Sequence, residues 1–469
     1  GAPPGRTPAA RGIPNVAAAR LRVDIRGTAP QAGQFTVGTP QFRYWVAAEA
    51  LRRSADFWGG ILPQNFRWAT GGDRLPVQLD EGTDLNAFYS RTAGGGIRAG
   101  LSFFRANVSG QMIFTAESPD VVAHELGHAV LDGIRPQLFA TNAAEAASFH
   151  EAFGDISAIL TALQLPERRS ELISSAIGSN ILQSSRISQV AEQLGWGIRQ
   201  RRPDAVDSDA LRNAVNSFFY RDPIELPPSA PANLLSSAPH SFSRVFSGAA
   251  YDILANMFRA QGASPTEQDL LRVTREFAQL LVDAVQTAPI VPAYFSQIAA
   301  HFLTADQTRF QSRYRDVIKS AFVRRGILSL DSASMPVTAA APIRPRARGR
   351  ALGIAGLGGS DVEPHAMTIA SARYGLRRPL RVVAASEEPR IAAMSSAKSL
   401  GPEAPPTSSR SAESFVEDLF RQGRIEVGRF GDPETRIYNP YSRKTHVIEG
   451  DGQELKLTRR FFDCGFDGS

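Results

Sequence analysis

Cysteine is nearly absent. Cys464 is the only one in 469 residues, so no intramolecular disulfide braces the chain, and any metal site must be built from histidine and carboxylate. Lysine is almost as scarce, at Lys319, Lys398, Lys444 and Lys456. The net charge of +6 is therefore carried by scattered arginines rather than by a basic patch interleaved with aromatics, and no nucleic-acid module is expected. No apolar run approaches the length of a membrane span, and no signal-like apolar core follows Gly1. With 43% apolar and 21% charged residues the chain reads as soluble and long enough for two or three domains. The shortage of cysteine suits a cytoplasmic or an exported protein equally.

Histidine is sparse as well, yet two of the seven stand four apart in Asp120-Val-Val-Ala-His-Glu-Leu-Gly-His-Ala-Val-Leu-Asp132. On a helix, His124 and His128 share a face one turn apart and can hold one metal ion between them. Glu125 lies beside them, placed to reach a water on that metal rather than the metal itself. Zinc with two histidines needs a third protein ligand and an open position for water. The next helix supplies Glu151 in Phe149-His-Glu-Ala-Phe-Gly-Asp155, with Asp155 one turn later to accept the free imidazole N–H of a ligand histidine. His150 is assigned a structural or supporting role.

Residues 1–35, rich in Ala, Pro, Gly and Arg, read as an N-terminal arm with one strand at 20–25. Residues 36–120 form an α/β lobe: a helix from Phe42 stopped by Gly59-Gly60, a strand at 75–79, and two strands around a turn at 107–110. Long helices dominate 121–330, with segments expected at 143–163, 168–196, 209–219, 241–260, 267–287 and 294–324. Residues 331–412 read as a low-complexity linker. Residues 413–469 read as a small α+β module, with a helix at 412–422 and a hairpin turning at Gly450-Asp451-Gly452.

The stretch 120–132 followed by His150-Glu-Ala-Phe-Gly-Asp155 resembles the thermolysin-type zinc metallopeptidases, the gluzincins. Asn86-Ala-Phe-Tyr89 is similar to the family's edge strand, which pairs with the bound peptide. Asp209-Ala-Leu-Arg212 is similar to the segment whose arginine binds a substrate carbonyl. His240 through Ala249-Ala-Tyr251 is similar to the run from a catalytic histidine into a helix, and 320–326 to the closing helix and turn. The resemblance covers roughly 40–328 and implies an α+β, zincin-like fold: a small mixed lobe, a mainly helical lobe and a C-terminal extension. It further implies a Zn²⁺-dependent endopeptidase acting on polypeptides. His124, His128 and Glu151 would be its ligands, Glu125 and His240 catalytic, Asp155 a supporting carboxylate, and Asn86, Ala87 and Arg212 substrate-binding.

The sequence departs from the family in places. No tyrosine falls between His128 and Glu151, where the family has one that stabilises the reaction intermediate; Phe139 stands there instead. Leu235 replaces an aspartate expected before His240, and acidic calcium-binding clusters are not evident after Asp155. Two competing readings follow from these departures and the long extension: a weak zinc-site protein that binds peptides or partners, and a protease inhibited by its own C-terminal tail.

Overall fold

The computed structural model describes residues 10–176, 180–207, 210–329, 363–387, 406–431, 443–450 and 454–463. Asp209, Cys464 and the Asp451-Gly452 tip of the expected hairpin lie outside these residues.

A five-stranded sheet forms one wall of the site, in the order β1 (Val23–Ile25), β2 (Leu75–Gln78), β4 (Gly100–Phe103), β3 (Ala87–Ser90), β14 (Phe461–Asp463). β1, β2 and β4 run parallel; β3 is antiparallel to both β4 and β14. β1 thus ties part of the expected N-terminal arm into the sheet. A hairpin, β5 (Arg105–Val108) and β6 (Gln111–Phe114), turns where expected. There Ser109 and Gly110 adopt positive φ, and the Asn107 side chain accepts from the Gly110 N–H at 3.0 Å.

Helix α1 (Pro40–Ile61) starts at Thr39, whose hydroxyl accepts from the Phe42 N–H, and Pro40 occupies the first turn, where no N–H is needed. It does not stop at Gly59-Gly60. The Arg20 guanidinium binds the carbonyls of Gly59 and Leu62, so side-chain capping carries the helix past the glycines to Ile61.

Helix α2 (Pro119–Ile134) carries the first motif, α3 (Gln137–Ala140) is one turn, and α4 (Ala144–Ala162) carries the second motif. α2 and α4 cross closely because small residues meet at the crossing. A Cβ on Gly127 would lie 2.7 Å from Ser157 Cβ and 3.0 Å from Gly154 Cα. Ser157 donates to the Ala123 carbonyl (2.9 Å) and accepts from Trp58 Nε1 (3.0 Å), joining α1, α2 and α4 through one hydroxyl.

The segment expected as one helix over 168–196 is instead α5 (Pro166–Ser175), a short strand β7 (Gln189–Val190) and α6 (Glu192–Arg199). The helix expected at 209–219 is also overridden, because Arg212–Asn213 form β8 against β7. α7 (Pro239–Arg259) and α8 (Glu267–Thr287) lie as expected, the latter opened by a Thr266/Asp269 capping box. The expected 294–324 helix breaks into α9 (Tyr294–Phe310) and α10 (Arg315–Arg324). Gln311 and Ser312 take φ of 55° and 65°, and the Asp306 carboxylate accepts from the Tyr314 N–H at 3.1 Å to fix the break.

Beyond residue 362 a second five-stranded sheet is ordered β11 (Ile425–Glu426), β12 (His446–Gly450), β13 (Leu455–Arg459), β10 (Leu380–Ala384), β9 (His365–Ile369), with α11 (Ser408–Arg421). β9 and β10 fall in the stretch read as linker, whose alanine and arginine content hid two short strands. β12 and β13 pair antiparallel, Gly450 opposite Leu455, as the hairpin reading expected. Asn142, between α3 and α4, exchanges hydrogen bonds with Val383 of β10 (2.7 and 3.0 Å), so this sheet docks beside the metal-site helices.

Candidate active site

The two motifs meet inside the protein. His124, His128 and Glu151 are buried and offer ligand atoms lying within 4.8 Å of one another. His124 Nε2 is 3.1 Å from His128 Nε2 and 3.6 Å from Glu151 Oε2, while His128 Nε2 is 3.8 Å from Glu151 Oε1. Ligands bound tetrahedrally to zinc at ~2.0–2.1 Å sit about 3.4 Å apart, so the set needs only small adjustments to close on an ion.

The outer nitrogens are already engaged. His124 Nδ1 is 3.1 Å from Asp155 Oδ1, the partner expected of that carboxylate. His128 Nδ1 is 3.3 Å from His150 Nδ1. A neutral His150 accepting there leaves the Nε2 lone pair of His128 directed at the ion site.

Charges at the site are arranged for a cation. Burial pushes the His128 imidazole down to about 3, with the neighbouring His124, His240 and Arg212 adding to it, so it is neutral and able to ligate. Burial would raise Glu151, but His240, His128 and His124 hold its carboxyl well below the ordinary range. Asp155 is likewise kept ionised, at about 2, chiefly because Arg212 and His124 outweigh its burial. Burial alone would lower His124, yet hydrogen bonds to Asp155 and Glu151 carry it up to about 9. A buried imidazole poised between two carboxylates in this way has a place for positive charge, which a metal ion can fill.

His240, on the first turn of α7, reaches the same point: its Nε2 is 3.0 Å from Glu151 Oε2 and its side chain keeps 30% exposure. Arg212 is also present, giving Nε (3.0 Å) and Nη2 (2.7 Å) to the Asp155 carboxylate. Glu125 is fully buried on α2 next to His124. Asn86 is buried immediately before β3, and both polar atoms of its amide lack a hydrogen-bond partner among the described residues. Ala87 opens β3.

One expectation is corrected. Phe88–Ser90 is not a free sheet edge, because its far side is paired with Phe461–Asp463 of β14. The pairing joins residues some 370 apart, and no local pattern in the sequence signals it.

Two further residues matter that motif reading passed over. Gly154 faces His124: a Cβ there would lie 2.6 Å from the imidazole Cε1 and Nε2, so glycine is required for the imidazole to sit where it does. The signal was its position inside the second motif. Phe462 of β14 lies against His150 with ring centroids 4.0 Å apart. Phe139, which stands in place of the family tyrosine, meets Phe462 edge-on at 5.4 Å and carries no hydroxyl to offer.

Two imidazoles one helical turn apart and a glutamate from the following helix, converging in a buried pocket, define a metallopeptidase of the His-Glu-x-x-His class on a zincin-like fold. The chain belongs to the fungalysin metallopeptidases (M36), whose family model matches residues 64–329, more than half of its length. A comparison with curated proteins found no match. The protein is thus a zinc metalloendopeptidase with polypeptide substrates. No helix among the described residues is long and apolar enough to cross a membrane.

Proposed function

We propose that His124, His128 and Glu151 hold the zinc of this endopeptidase and that Glu125 is its general base. Zinc, when bound there, supplies a Lewis acid that lowers the pKa of a water and polarises the scissile carbonyl. Glu125 takes the proton of the attacking water and passes it to the leaving amine. His240, partly exposed at the mouth, donates to the carbonyl oxygen as negative charge develops. Asp155 orients His124 and is itself anchored by Arg212, which in turn presents its guanidinium toward a substrate carbonyl. The substrate backbone lies extended along β3 in the position that β14 holds in the structure, with the Asn86 amide bonding to the peptide.

The observation that carries this reading is the convergence of three buried ligand atoms, with the outer nitrogens of both histidines facing Asp155 and His150. Casein cleavage by the purified chain, with and without a chelator and beside Glu125→Gln, tests it. The expected outcome is cleavage abolished by chelation, and a fall of about 10²–10⁴-fold in Glu125→Gln while zinc is retained. Undiminished cleavage by Glu125→Gln would remove Glu125 from the mechanism.

A further inference from the structure

β14 lies outside the part of the chain that matches the family, yet it is built into the sheet beside the active site. It runs antiparallel along β3, with Phe461 opposite Ser90, Phe462 opposite Tyr89 and Asp463 opposite Phe88. That is the geometry an extended peptide adopts when it adds to a sheet edge.

The strand is anchored by its side chains. The Phe462 ring stacks on His150, and on the ligand His128 at 5.1 Å, while Arg459 covers its other side at 4.3 Å. Arg459 also donates to the Phe139 carbonyl at 3.0 Å. Phe461 stacks on Phe88 at 4.5 Å. Asp463 accepts from Arg424 (3.1 Å) and Arg443 (2.9 Å), and Arg443 reaches across to Asp84 of the family-matching region at 2.6 Å. Near this seam the Asn86 amide, His150 Nε2 and Arg459 Nη2 are buried without hydrogen-bond partners among the described residues.

We propose that Phe461–Asp463 is an autoinhibitory strand: it holds the β3 edge that a substrate backbone needs, and cleavage of an extended polypeptide requires it to leave. The inference rests on β3 being the substrate strand, as read above. Three residue pairs and a few Arg–Asp links at a sheet edge belong to the least stable part of a fold, so release does not require the helical core to open.

The test compares the full chain with one ending at Arg460, at equal zinc content. A fluorescein-labelled peptide copied from 459–463 (Arg-Arg-Phe-Phe-Asp) is titrated into the Glu125→Gln form of each and followed by anisotropy. Casein cleavage is measured on the forms that keep Glu125. The shortened chain is expected to bind the peptide at least tenfold more tightly than the full chain and to cleave casein at least tenfold faster, with the peptide slowing that cleavage. Equal peptide binding by the two chains, or casein cleaved by both at the same measurable rate, would overturn the proposal.

Should shortening unfold the C-terminal sheet, the full chain carrying Ser90→Cys and Phe461→Cys in a Cys464→Ser background gives the same answer. Cleavage is expected to fall at least tenfold on oxidation and to return on reduction; unchanged cleavage on oxidation would overturn the proposal. If peptide binding rises on shortening but no form cleaves casein, the strand assignment stands and the hydrolytic roles given to the site residues fail.

Discussion

Two junctions flank the residues proposed to hold the zinc, and they are built in opposite ways. The crossing of α2 and α4 joins elements close in sequence through buried contacts: Gly127 against Gly154, Ser157 bonded to Ala123 and Trp58, and Asp155 between His124 and Arg212. The β3–β14 seam joins distant parts of the chain through three residue pairs, a phenylalanine on a histidine, and arginine–aspartate links nearer the surface. Ligand placement belongs to the first, where several contacts fix each group; access belongs to the second, where few do.

Breaking the first junction should have the largest effect. In Asp155→Asn the Arg212 guanidinium loses its buried counter-charge and His124 its acceptor. Removing one partner of a buried pair costs about 3–5 kcal/mol. We therefore expect a fall in melting temperature, read by calorimetry, together with weaker zinc binding. A melting temperature within a degree of the parent would mean that the crossing does not depend on this link.

Gly154→Ala separates ligand geometry from charge. The new Cβ takes the space of the His124 ring, and an overpacked core costs about 1–3 kcal/mol. Zinc affinity should drop by about 10–100-fold, as when a supporting partner of a ligand is lost. Competition with a fluorescent chelator reads that change directly.

The second junction should respond more mildly. Arg443→Met removes the bridge between Asp84 and Asp463, and charge-assisted hydrogen bonds contribute about 1.5–3 kcal/mol when buried and less near the surface. Peptide cleavage by the full chain should rise by a few-fold with zinc content unchanged. A fall in cleavage would show that the bridge supports the active form instead.

The same contrast explains what could be read from the sequence. The His-Glu-x-x-His stretch and the second motif place ligands at helical spacing on single elements, so their meeting followed from local geometry once both were helices. His240 and Arg212 came from the family resemblance and do reach the site, although Arg212 lies on a two-residue strand rather than the expected helix. Tertiary pairing with β7 overrode its helical apolar spacing. Gly59-Gly60 failed as a stop because Arg20, far away in sequence, caps the helix beyond it. β14 was illegible as a partner of β3: two adjacent phenylalanines state a preference for pairing but not with whom.

The most direct measurement is the zinc content of the purified chain beside that of Glu151→Ala and His128→Ala, by mass spectrometry of the metal after dialysis against a weak chelator. One zinc per parent chain and almost none in either variant are expected. Stoichiometric zinc retained by both variants would contradict the assignment of ligands, because the ion would then be held by other residues.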